Sequence, residues 1–146
     1  MKCLIQRVSS ASVMVAGEVV GKINCGMLVF VGFEKTDDDD RFDYHLRKLV
    51  GLRIFEDDQG KMNLSIKDVD GSLLVVSQFT LAGDCKKGMR PGFDNAKPPE
   101  EAKAMYERFV ERLRSESGVT IETGRFGAMM DVALVNDGPV TFMLEN

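Results

Sequence analysis

The chain has 146 residues, 44% of them apolar and 29% charged, with a net charge of −4 and no apolar run approaching the ~18 residues of a membrane span. That length makes one domain, able to bury about two thirds of its unfolded surface, and the acidic balance argues against a nonspecific nucleic-acid binder. Cys3, Cys25 and Cys85 are odd in number, widely spaced and without a Cys-x-x-Cys, and His45 is the only histidine, so neither a disulfide framework nor a metal centre is expected.

Along the chain, Leu4 to Val8, Ser12 to Ala16, Val19 to Ile23 and Met27 to Phe33 are short β-branched or apolar segments broken by Ala16-Gly17 and Cys25-Gly26, a pattern that predicts hairpins. Gln6 and Arg7 interrupt the first segment too early for a signal peptide, and a cytoplasmic protein is expected. Asp37 to Asp40 predicts an N-cap and first-turn acids for a helix running to about Val50, with Phe42, Leu46, Leu49 and Val50 at helical spacing. His45 falls within that helix as a packing or surface residue rather than a catalytic one.

The run Leu73 to Leu81 reads as a buried strand that carries Ser77, Gln78 and Thr80, polar groups that cost roughly 1 to 3 kcal/mol each if buried without a partner. Residues Ala82 to Pro99 form the longest irregular stretch and hold a basic cluster, Lys86, Lys87 and Arg90; loops of that length more often carry function than not. A second helix starts at Pro98-Pro99-Glu100-Glu101, places Ala102, Met105, Tyr106, Phe109, Val110 and Leu113 on one face, and ends at Gly118. Val119 to Glu122, Met130 to Val135 and Val140 to Leu144 predict closing strands, the last two separated by Asn136-Asp137-Gly138-Pro139. A Gly-Pro step removes a ladder donor and is confined to edges, bulges or special turns. The expected fold is α+β: one domain over residues 1–146, a strand-rich curled sheet or barrel with two main helices.

Six segments, in order, carry a family resemblance: Gln6 to Val13, Leu52 to Phe55, Lys61 to Ser65, Ser77-Gln78-Phe79-Thr80-Leu81, Thr123 to Ala128, and Asn136-Asp137-Gly138-Pro139-Val140-Thr141. With them the chain resembles the D-aminoacyl-tRNA deacylases, which remove D-amino acids mischarged onto tRNA. The resemblance implies a barrel-like subunit forming a homodimer with active sites at the interface. It also implies a cis Gly138-Pro139 peptide that reaches into the partner's pocket, where its carbonyls exclude an L side chain sterically and tolerate glycine, including glycine mischarged on tRNA-Ala. tRNA is the implied partner, with no DNA, membrane, metal or cofactor.

An ester hydrolase needs an attacking oxygen, its activation, and donors for the oxyanion. Thr80 as nucleophile would need an adjacent base, and the segment offers none. The alternative uses the N–H groups of Phe79 and Thr80 as oxyanion donors, with Thr80 Oγ1 positioning the substrate, Ser77 and Gln78 orienting the pocket, and the ribose 2′-hydroxyl helping to activate water, as the resemblance implies. Ser77 and Gln78 can equally tie strand to strand. Arg7 either braces the Gly-Pro loop or lies on the surface, Phe126 and Met130 either pack against the terminal adenosine or fill the core, and Lys86, Lys87 and Arg90 are candidates for tRNA phosphates. Two rival classes remain: a nonenzymatic nucleic-acid-binding module, and an esterase or peptidase with a Thr80 or Cys85 nucleophile.

Overall fold

A computed structural model describes residues 1–146 as eight strands and two helices. The order is β1 (Lys2–Val15), β2 (Glu18–Ile23), β3 (Gly26–Gly32), α1 (Arg41–Gly51), β4 (Phe55–Glu56), β5 (Met62–Leu64), β6 (Ser72–Ser77), α2 (Pro99–Glu116), β7 (Thr120–Thr123) and β8 (Asp131–Glu145). β1 organises the sheet. Its first half pairs antiparallel with β3, its second half with β2, and its other edge with β8 over nearly its full length. Beyond β3 the sheet continues through β6 and β7, both added in parallel by crossovers. The far edges curl toward each other: β2 approaches β7 so closely at Gly21 that a Cβ there would run into the Thr123 carbonyl. The result is a nearly closed, barrel-like sheet.

β3 and β6 are buried on both faces, which is why Met27 to Val31 and Leu73 to Val76 read as continuous apolar runs. Alternate side chains enter two cores. Met27, Val29, Val31, Leu73 and Val75 pack under the helices against Phe42, Leu49, Met105 and Phe109. Leu28, Leu74 and Val76 point into the curl with Val8, Ala11, Val13 and Ile23. The α2 stripe is buried as its spacing predicts, and Tyr106 Oη donates to the Val75 carbonyl at 2.8 Å, tying that helix to β6.

Three expectations are corrected. Leu4–Val8 and Ser12–Ala16 are one strand, because β8 pairs along both halves and carries the chain through polar Ser9 and Ser10. Likewise Met130–Val135 and Val140–Leu144 merge into β8, which passes through Gly138-Pro139 with register breaks opposite Arg7 and Ser9. The aspartate run does not cap α1 with side chains: Asp40 stands at the N-cap position without a side-chain bond. Asp37 instead pairs with the Met1 amine at 2.5 Å and accepts from the Glu34 N–H, while Asp39 takes both nitrogens of the Arg108 fork at 2.7 and 2.8 Å.

Candidate functional site

β6 stops at Ser77, and the run predicted as strand through Leu81 turns instead into a short 3₁₀ turn over Phe79–Ala82. The Gln78 N–H makes one last bond to the Val31 carbonyl of β3, at 2.7 Å, and the backbone then leaves the sheet. Gly32 permits the departure, since a Cβ there would sit 2.8 Å from the Gln78 carbonyl and 2.9 Å from Leu81 Cβ. Phe79 and Thr80 consequently lie exposed rather than buried, and the cost anticipated for burying Thr80 does not arise. The turn's own bonds begin with the Leu81 N–H donating to the Gln78 carbonyl at 3.3 Å, so the Phe79 and Thr80 N–H groups take no part in that ladder. The Gln78 side-chain amide donates to Thr80 Oγ1 at 2.6 Å, closing the turn over itself.

Beside this turn opens a cavity of about 670 Å³, within the usual range for small-molecule sites. Ser77, Gln78 and Phe79 form one wall, with the Phe79 ring 5.1 Å from that of Phe93, and Phe126, Met129 and Met130 form the other. Phe126 in turn leans on Tyr106 of α2, ring centres 5.7 Å apart. Sequence reasoning missed Phe93, Met129 and the Pro98-Pro99 edge of this cavity; Met129 is 92% exposed at its rim, an unusual position for a large apolar residue. The lining contains no carboxylate, imidazole or thiol. Lys97 is its one charged residue. His45 is remote from it, fully buried in α1 with Nδ1 at 2.9 Å from the Arg41 carbonyl.

The remaining predicted residues are divided between other places. Arg7 is not a surface arginine: it is 4% exposed, with Nη1 donating to the Ile54 carbonyl and Nε to the Asp137 carbonyl, both at 2.7 Å, and with the Glu56 and Asp137 carboxylates alongside at 3.5 and 3.3 Å. It therefore holds the residue just before Gly138. The Gly138–Pro139 peptide bond is cis, and both residues are exposed. Neither lines the cavity; Gly138 stands six residues beyond Val132 along β8, roughly 20 Å of extended chain. Lys87 and Arg90 line a separate polar depression of about 290 Å³ with Asp84, Asp94 and Asn95, while Lys86 is exposed nearby; none of the three is ion-paired. No group of three or more His, Cys, Asp or Glu side chains is placed to hold a metal, and no helix is long and apolar enough to cross a membrane.

Comparison with known proteins gives this arrangement a context. The family model described as D-Tyr-tRNA(Tyr) deacylase matches residues 4–145. A curated D-aminoacyl-tRNA deacylase from Pelobacter propionicus is 59% identical over 145 residues, 99% of each chain. Among solved structures, one named c-Myc DNA Unwinding Element Binding Protein superposes with a TM-score of 0.95 at 42% identity over 100% of this chain and 99% of its own. Another, described as a probable eukaryotic D-amino acid tRNA deacylase, shares the fold with a TM-score of 0.85 at 18% identity, covering 98% and 97%.

Proposed function

Because the chain belongs to the D-Tyr-tRNA(Tyr) deacylase family and is a hydrolase of carboxylic esters, a D-aminoacyl-tRNA deacylase, we propose that the cavity beside Ser77–Thr80 is where the aminoacyl ester is cut. The observation that carries this reading is the pair of N–H groups at Phe79 and Thr80, left outside the turn's ladder, with Phe79 in the lining of an apolar cavity and Thr80 the next residue beyond that lining. Backbone donors of this kind suit a developing oxyanion, because they are fixed before the reaction starts. Phe126 and Met130 offer flat, polarisable surface to the terminal adenine, and base stacking on an aromatic ring is worth roughly 1 to 3 kcal/mol.

Water attacks the ester carbonyl. With no general base in the lining, the ribose 2′-hydroxyl next to the ester is the group that takes part in activating it. The bond between the carbonyl carbon and the ribose oxygen breaks, the ribose oxygen is protonated, and free amino acid and tRNA leave. Thr80 Oγ1, held by Gln78, orients substrate and does not become acylated.

Chiral selection is assigned to Gly138 and Pro139 of a second copy. In one subunit they are far from the cavity, exposed, and braced by Arg7, which suits a probe that enters another molecule. Nearby on β8, Val135, Phe142 and Met143 are 57%, 41% and 45% exposed, apolar surface suited to a homodimer contact. Carbonyls set against the substrate Cα reject an L side chain and leave a D side chain directed outward. Glycine has no side chain to reject, so glycyl-tRNA mischarged on tRNA-Ala is also a substrate. The unpaired Lys86, Lys87 and Arg90 take phosphates of the acceptor stem, and the site of action is the cytoplasm.

A second reading, a nucleic-acid-binding module without catalysis, is favoured by the likeness to the 42% identical structure, a protein named for binding a DNA unwinding element. Rates of ester loss from D-aminoacyl-, L-aminoacyl- and glycyl-tRNA decide between them. The deacylase clears the D and glycyl esters and spares the L ester; a binder retards tRNA in a gel and leaves all three intact.

A further inference from the structure

The loop Asp137-Gly138-Pro139 is exposed, yet side chains grip it at both ends. Arg7 fixes the entry through the Asp137 carbonyl at 2.7 Å. Asn136 fixes the exit: its Oδ1 accepts from the Val140 N–H at 2.9 Å, and its Nδ2 donates to the Val140 carbonyl and to Thr141 Oγ1, each at 3.2 Å. Thr141 Oγ1 also accepts from Gln6 Nε2 at 3.4 Å. The β1–β8 register runs from Gln6 opposite Thr141 to Val8 opposite Asn136, so no strand partner serves residues 137–140. The Asn136 amide stands in for the missing ladder, satisfying the N–H and the carbonyl of one residue across the loop.

Gly138 and Val140 lie close across a tight turn, where a Cβ on Gly138 would collide with the Val140 nitrogen and lie 2.7 Å from Val140 Cγ2. Only Pro139, whose ring fixes its own φ, separates the two, so a displacement of Val140 is passed along the chain to Pro139 and Gly138. We propose that Asn136 is a positioning residue for chiral selection: by locking Val140 it sets the projection of Gly138 and Pro139 and hence their rejection of L-aminoacyl esters. This rests on the gate described above. Only a side chain offering a donor and an acceptor together can make the grip. A carboxylate keeps the bond from the Val140 N–H but turns a second oxygen toward the Val140 carbonyl.

The test compares full-length wild type, Asn136→Ala, Asn136→Asp, Pro139→Ala and a core control, Val110→Ala, on D- and L-tyrosyl-tRNA, with melting temperatures measured alongside. Asn136→Ala is expected to lower the ratio of D to L rates about tenfold, the scale of one or two lost hydrogen bonds, with KM for the D substrate within about twofold. Asn136→Asp falls between, and supplies the measurement if the alanine variant does not fold. Val110→Ala melts lower with its ratio unchanged. A wild-type ratio in both Asn136 variants, while Pro139→Ala changes it, overturns the role of Asn136. A parallel fall of both rates at constant ratio does the same, leaving a structural residue only. A wild-type ratio in Pro139→Ala overturns the gate itself, and this inference with it.

Discussion

At the scale of single residues, the polar positions inside apolar runs are the ones proposed to carry the chemistry, and their types are legible where their conformations are not. Ser77 to Leu81 has the composition of a strand. The break after Ser77 depends on Gly32 of a different strand, 45 positions away, which period-two reading within one segment does not detect. The burial of Arg7 makes sense only with Ile54 and Asp137 beside it, and the proposed role of Asn136 only with Val140. Thr80→Ala removes the 2.6 Å bond from Gln78 and is expected to slow deacylation roughly five- to tenfold without abolishing it. An acyl-Thr80 species trapped by rapid quench and mass spectrometry would disprove the positioning role. His45 gives a prediction for stability. Burial holds its pKa below the ordinary histidine value of 6.5, against the opposing pull of the Arg41 and Leu144 carbonyls. The unfolded chain therefore binds the proton more readily than the folded one, so this contribution is whole above about pH 6.5 and is lost as the pH falls from there toward the lowered folded value. Urea midpoints between pH 7.5 and 5.5 should decline less steeply for His45→Leu than for wild type; equal slopes would remove His45 from the acid response.

Elements are legible in proportion to their periodicity. α2 shows six buried positions on one stripe, and its sequence needs nothing else. The same spacing reveals α1 but not the role of its acidic prelude, because Asp37 and Asp39 spend their carboxylates on the Met1 amine and on Arg108. Those pairings join segments distant in sequence, which capping rules do not reach. The irregular stretch between the turn at Phe79–Ala82 and α2 sends Phe93 into the cavity wall and leaves Lys86, Lys87 and Arg90 without an ion-pair partner. Replacing these three by glutamine is expected to raise KM for tRNA and to flatten its dependence on salt, since each lost phosphate contact releases fewer counterions. An unchanged salt slope would move the tRNA surface elsewhere.

For the whole molecule, the α+β class, the two helices and the curled sheet follow from the sequence, whereas the topology does not. Nothing in the local pattern says that β1 pairs with three strands or that β8 runs unbroken through Gly138-Pro139. The proposed completion of the site across two subunits gives the prediction that belongs at this scale. One partner carries Gln78→Ala with Phe79→Pro, which removes an oxyanion donor, and the other carries replacements of Gly138 and Pro139. Each homodimer should be poor at selective deacylation. Their heterodimer, isolated with two tags after circular dichroism shows that both variants fold, should recover up to about half of the wild-type sites, because a two-fold interface creates one intact and one doubly damaged site. A heterodimer no better than its parents would return Gly138-Pro139 to its own chain.

The pairing of β1 with β8 also imposes a timetable on synthesis. Gln6 and Thr141, which bond across that ladder, are 135 residues apart. At 5 to 20 residues per second a ribosome takes roughly 7 to 27 s to deliver the second after the first. For that interval the organising strand of the sheet has one edge with no native partner, and an unpaired strand edge is a template for association with other chains. The outer edge of β1 can be covered only once β8 has emerged, and pairings this far apart in sequence raise the contact order that slows folding.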